Sequence, residues 1–374
     1  MVDVTIPLVR RRRPLWSLFL PLAGFGLVAL IVSQGSSKSQ VQVDPQTGFG
    51  GYQCVAGGGC LPAGPVRQVS AEWRVPTISA VSPAGSASTW LGAQDPDGGY
   101  PFIQLGTLEG TEGVAPPAYA VFWSDTAVKF RPQVLFAVNS GDLVEADMVQ
   151  EKGGWVLTCR DISTGDGARR TIAYALGTTF DEAEWVQEDP SPVALVASAD
   201  VPYPQISDVH FSHLVVNGHD PRIDLTDGET LMSSAGNWWV PTPVHSDGFT
   251  IAPPTGYPRQ YLNDASSAAV ALAAYNADLA KWAVLNLSKR TAADRALSDA
   301  YASFNARLSN QKWPPAVRGD IRAVVKQNDI IQSDLRVWAL SYDDEANPEY
   351  PILLNDLNSP ADTAARAALG VPPI

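Results

Sequence analysis

Two stretches of the chain, residues 101–106 (PFIQLG) and 181–190 (DEAEWVQEDP), each set a polar side chain into a strand-like run. Alternation puts Phe102, Gln104 and Gly106 on one face of the first, with Ile103 and Leu105 on the other. The apolar pair reads as the core face, which leaves Gln104 on a wetter one. In the second stretch Glu184, Val186 and Glu188 share a face, and Trp185 and Gln187 share the opposite one. A carboxylate can take and return a proton, while an amide offers two donors and an acceptor without titrating. Spacing alone nonetheless favours a plain solvated sheet face for both residues.

Other side chains with chemical potential read more simply. His210 and His213, in HFSH, suggest a metal, but strand residues three apart point to opposite faces and no cysteine or third histidine stands at ligand spacing. Asp142 reads as a turn residue, and Glu109 and Glu112 as solvated loop charges. The chain has no glycine fingerprint for a nucleotide, no GxSxG elbow and no HExxH. Neither a cofactor nor a metal is therefore expected.

The company kept by Gln104 and Glu184 changes their reading. AEWRVP (71–76), TWLG (89–92), IQLG (103–106), YAVFW (119–123), NSGD (139–142) and AEWVQED (183–189) follow one another in that order. Over residues 66–220 this series resembles the glutamic peptidases, the eqolisin-like family G1. The resemblance implies a two-sheet antiparallel β-sandwich of concanavalin-like or lectin-like type, a polypeptide substrate, and a catalytic pair of one Gln and one Glu. Matched motif by motif, these fall on Gln104 and Glu184. The pattern differs at two places. The family carries an Asp two residues after the glycine of WxG, where this chain has Gln94 with Asp95 following. It carries an acidic residue after the aromatic run, where Ser124 stands here with Asp125 following.

Peptide hydrolysis needs a base for water, a stabiliser for the tetrahedral oxyanion and an acid for the leaving amine. The resemblance gives Glu184 the first and last tasks, since a Glu with a reference pKa of about 4.3 is partly ionised in acid. Gln104 would donate its NH₂ to the oxyanion and orient the water through its carbonyl. Two other readings compete with an acid-acting endopeptidase. One is a catalytically inactive β-sandwich that binds peptide or glycan. The other is a purely structural envelope protein.

The elements that must position these residues are short. Candidate strands lie near 70–75, 87–92, 101–106, 118–123, 127–138, 143–150, 154–161, 169–176, 182–187 and 208–216, separated by turns such as NSGD and EKGG. So many short strands predict a sandwich rather than βαβ units. Trp73, Trp90, Trp123, Trp155 and Trp185 fall within them; most should fill the core between sheets, leaving one or two to line a groove. Residues 221–262 read as irregular, with room for an extra strand. From Ser266 the texture becomes Ala-rich with helical period over 270–290, 293–310, 321–340 and 361–370, which predicts a separate three- or four-helix bundle. That module would dock on the β domain, bind an envelope partner or solubilise it.

At 374 residues the chain exceeds what one core serves, and the 30 glycines and 30 prolines predict many turns. A formal net charge of −13, with no basic-aromatic patch, argues against a nucleic-acid surface. Arg10, Arg11, Arg12 and Arg13 precede an uncharged apolar run from Leu15 to Val32, long enough to reach across a bilayer with its basic end in the cytoplasm. Four segments follow: 1–35, basic end and signal anchor or signal peptide; 36–65, linker; 66–250, β-sandwich; 262–374, helical bundle. The expected location is extracytoplasmic, on a single-pass anchor or, if the segment is cleaved, secreted. Cys54 and Cys60 could close a small loop in such an oxidising compartment, with Cys159 left in a buried strand; other pairings stay open.

Overall fold

The computed structural model describes residues 48–82, 85–95, 102–110, 118–126, 131–173, 180–189, 203–233, 236–246, 248–279, 285–340 and 360–372. The basic end, the apolar run and the first part of the expected linker lie outside them, as does Glu112. Among the described residues, no helix is long and apolar enough to cross a membrane.

Among the described residues, fifteen strands build the β domain: β1 (Phe49–Val55), β2 (Gln68–Arg74), β3 (Ser86–Gln94), β4 (Phe102–Gly110), β5 (Ala118–Asp125), β6 (Gln133–Ala137), β7 (Leu143–Glu151), β8 (Gly154–Asp161), β9 (Gly167–Ile172), β10 (Glu182–Glu188), β11 (Val209–Val216), β12 (Gly228–Glu229), β13 (Leu231–Met232), β14 (Trp238–Pro241) and β15 (Phe249–Ala252). They form two antiparallel sheets, ordered β12-β1-β10-β3-β4-β5-β6 and β13-β14-β15-β11-β2-β7-β8-β9. Trp73, Trp123, Trp155 and Trp185 fill the space between the sheets with Leu91, Ile103, Leu105, Met148 and Leu157. All ten strands read from alternation occur. The sandwich follows from their period: the inward rows are mainly apolar, and burying them against each other removes both from water.

Two parts differ from the sequence reading. The expected linker contains β1, which pairs along its full length with β10. Its glycines mark close approach rather than slackness, since a Cβ on Gly51 would lie 2.0 Å from the Trp185 carbonyl oxygen. A Cys54–Cys60 disulfide closes the end of that strand, and Cys159 is free and buried. Residues 221–262, expected to be irregular, supply a short 3₁₀ turn at Leu225–Asp227, all of β12 to β15 and the start of the first helix.

The helices are α1 (Gly256–Leu279), α2 (Leu287–Asn310), α3 (Arg318–Leu340) and α4 (Pro360–Leu369). Their core holds Tyr261, Leu297, Phe304, Leu308, Ile321, Val324, Ile331, Leu335 and Trp338. The first helix starts ten residues before Ser266, because Pro258 sits in its first turn, where a missing N–H costs nothing. The helical part is also not separate. Met232, Trp238 and Val240 of the sandwich pack with Leu262 and Val371, and Trp238 Nε1 donates to Ser266 Oγ at 3.1 Å.

Candidate functional site

Strand register, rather than proximity in sequence, brings the chemically interesting residues together. Gln53 of β1 opposes Glu184 of β10, Glu184 opposes Gly92 of β3, Gly92 opposes Gln104 of β4, and Gln104 opposes Ser124 of β5. Residues opposed in this way project to the same face. Their sequence neighbours Leu91, Ala93, Ile103, Leu105, Ala183 and Trp185 fill the core between the sheets, so this row lies on the outward face of the seven-stranded sheet. Glu184 and Gln104 thus stand two strands apart, about 10 Å between backbones, with a residue lacking any side chain between them.

Gly92 leaves room for the Trp90 ring: a Cβ there would fall 2.8 Å from Cζ3 of Trp90, whose indole lies against it. Trp90 makes edge contacts with Phe102 at 5.6 Å and Phe49 at 5.9 Å, and packs with Phe122 and Val186 into an apolar wall beside the row. Its Nε1 and Ser88 Oγ both donate to Glu188 Oε2 at 2.9 Å, which fixes the ring. Trp90 is therefore the one tryptophan of the five that lies on the outward face.

Each member of the candidate pair is held by an uncharged neighbour. Gln104 Nε2 donates to Ser124 Oγ at 2.5 Å, which uses one of its two N–H groups. Its Oε1 has no hydrogen-bond partner among the described residues. Glu184 Oε1 accepts from Gln94 Nε2, and the same nitrogen donates to Glu182 Oε2 at 3.2 Å. Burial, reinforced by Asp95, pushes the Glu182 carboxyl up to about 7 against the opposing pull of the Gln94 hydrogen bond.

The face is not wet, contrary to the sequence expectation. Gln104 is 0% exposed and Glu184 3%, and every residue of β10 is buried on both faces. Sequence reading also misplaced Glu109. It is no loop charge but a fully buried residue on the inward face of β4. Thr107 Oγ1 donates to Glu109 Oε1 at 2.6 Å and accepts from Trp73 Nε1 of the facing sheet at 3.1 Å. Burial holds the Glu109 carboxyl well above the usual carboxylate range, although hydrogen bonds from Thr107 and Thr89 oppose the shift. The Thr-x-Glu alternation on a strand was the available signal.

The remaining candidates have structural duties. Asp142 closes a turn by accepting from the backbone and side-chain nitrogens of Asn139. His210 bonds Thr250 Oγ1, while His213 sits at a bulge with Nδ1 3.1 Å from a Glu72 oxygen. No group of three or more His, Cys, Asp or Glu that could hold a metal occurs among the described residues.

Comparison with known proteins gives three results. The model of the Peptidase A4 family matches residues 55–250. Two solved structures are similar at low identity. Scytalido-glutamic peptidase, solved with a transition state analog inhibitor, is 16% identical, with 55% of this chain and 98% of that one covered and a TM-score of 0.41. SCP-B, described as a member of the eqolisin family and solved with a tripeptide Ala-Ile-His, is likewise 16% identical over 55% and 98%, with a TM-score of 0.40. No curated protein matches.

Proposed function

Because the chain belongs to the Peptidase A4 family, we propose that it is an acid-acting endopeptidase in which Glu184 serves as general base and then general acid, and Gln104 stabilises the oxyanion. The observation that supports this reading is the register row Glu184–Gly92–Gln104, which sets one carboxylate and one amide on the same face of the sheet, two strands apart. A water held by the pair would lose a proton to Glu184 as its oxygen attacks the scissile carbonyl carbon. The N–H of Gln104 not used by Ser124 would donate to the oxygen that becomes negative, and its unpartnered Oε1 would orient the water. Glu184 would then pass its proton to the amine as the C–N bond breaks, leaving a carboxylic acid and an amine with the enzyme restored.

The purified protein should cut an unfolded polypeptide at acidic pH, and should resist chelators and reagents that trap serine or cysteine nucleophiles. A second reading draws on the burial of both side chains: a catalytically silent module that binds peptide or glycan. Binding without cleavage at any pH would establish that reading instead.

We further infer an extracytoplasmic location, from Arg10 to Arg13 and the apolar run to Val32. An anchor is retained if the run is uncleaved, and the protein is secreted if it is cut. A reporter that works only in the cytoplasm, fused after Ser39, should stay silent; an active one would refute the topology.

A further inference from the structure

The amide of Gln94 lies between two carboxyl groups. It sits two residues beyond Gly92 on the same face of β3, in register with Glu182, and its Nε2 donates to both Glu182 Oε2 and Glu184 Oε1. A primary amide nitrogen carries two hydrogens, and both are spent here, so the rotamer of the Glu184 carboxyl is tied to a group that is itself tied to a second point on β10. Ser124 does the corresponding work for Gln104 across β4 and β5. At both places the glutamic-peptidase pattern carries an acidic residue, and at both this chain has a neutral one.

We propose that Gln94 is the positioning residue of Glu184, fixing its carboxylate on the shared face through an amide bridge anchored on Glu182. The inference rests on the Glu184–Gln104 reading above. A carboxyl in place of Gln94 would either share a proton with Glu184 or repel it, according to pH. An amide does neither, and it donates to the base in its charged form at every pH. Among the described residues, the other charged groups on this face are Glu182, Asp95 beside Gln94, Glu188 further along β10, and Glu229 of β12 in register with Gly51, all of them acids. A neutral donor at position 94 adds no charge to this acidic face and still holds the carboxylate through both of its N–H groups.

The test compares the full chain with Gln94→Leu, Gln94→Glu and Glu184→Gln, measuring cleavage of an unfolded polypeptide from acid to neutral pH, with thermal unfolding followed at each pH. Gln94→Leu should lower kcat roughly tenfold or more, as expected for loss of a hydrogen bond to a charged group, with KM little changed. Gln94→Glu, nearly the same size, should keep activity at the acid end, where its protonated carboxyl can still donate. It should lose activity at lower pH than the parent does on the neutral side, as the new carboxyl ionises beside Glu184. That shift of one limb is what a merely structural role would not produce. The inference is overturned if both Gln94 variants keep the parent profile, or if both lose activity equally at all pH values in step with unfolding. Should Gln94→Leu not fold, the limb shift in Gln94→Glu decides alone. An inactive Glu184→Gln beside parent-like Gln94 variants removes only this inference, whereas a fully active Glu184→Gln removes the dyad reading and this inference with it.

Discussion

Glu109 and Glu182 show what single residues do to this domain in different media. Both carboxyls are raised by burial, Glu182 to about 7 and Glu109 well above its ordinary value. A carboxyl raised in the folded state binds its proton more tightly there than in the unfolded chain. Its contribution is fully present below the unfolded pKa of about 4.3 and is lost as pH rises through the folded one. Both groups act with the same sign, so the domain should be most stable in acid and weaken toward neutrality. Glu109→Gln keeps the hydrogen-bonding shape and removes the titration. Its melting temperature should exceed the parent's near neutral pH and converge with it below about pH 4. A difference between the two proteins that is independent of pH would show that Glu109 does not titrate in this way. In the sequence only the Thr-x-Glu alternation hints at this burial: a Glu at the end of a strand, before a Gly, reads as exposed unless the facing Trp73 is known.

At the scale of elements, the strands were legible and their covers were not. Alternation in β2 and β7 gives one buried and one open face, and it identified β4 and β10 as strands; that Gln104 and Glu184 share a side follows only from the register across β3. What it missed is that β3, β4 and β10 are covered on both faces. Burial of a polar row is a property of what lies over it, which no periodicity within the strand records. β1 was missed for a different reason. Gly50 and Gly51 look like linker, yet they permit contact with β10 and with Leu231 that a Cβ would block. Gly106 carries the same logic into the site. A Cβ there would stand 2.2 Å from the Thr89 carbonyl oxygen and 2.4 Å from Trp90 Cβ, so a side chain must push β4 away from β3. Gly106→Ala should cost roughly 1–3 kcal/mol in urea unfolding. It should also lower turnover, because β3 lies between β10 and β4 and its spacing from β4 sets how far Gln104 stands from Glu184. Parent-like stability would mean that the two strands yield without cost.

For the whole molecule, the helical part was visible from its period and its composition, but its attachment was not. The contact uses Met232, Trp238 and Val240, which lie in a stretch rich in Pro and Gly that gave no clear strand signal. Attachment of this kind makes the helices part of the sandwich's stability. A chain ended after Pro253 should expose that patch, bind an apolar dye and aggregate more readily than the full protein. A truncated form that stays monomeric and dye-free, with an unchanged β spectrum, would show the helices to be an independent appendage. The same joining of distant segments explains the site: Gln53, Gly92, Gln104, Ser124 and Glu184 come from five strands, and only sheet order puts them in one row.

The most direct test is turnover of an unfolded polypeptide at acidic pH by the parent, Glu184→Gln and Gln104→Ala, with circular dichroism confirming the fold of each. Glu184→Gln replaces the base with a side chain of nearly equal size and should abolish turnover. Gln104→Ala should reduce it about a hundredfold or more, as loss of an oxyanion donor does. A folded Glu184→Gln protein that cleaves at the parent rate would contradict the mechanism.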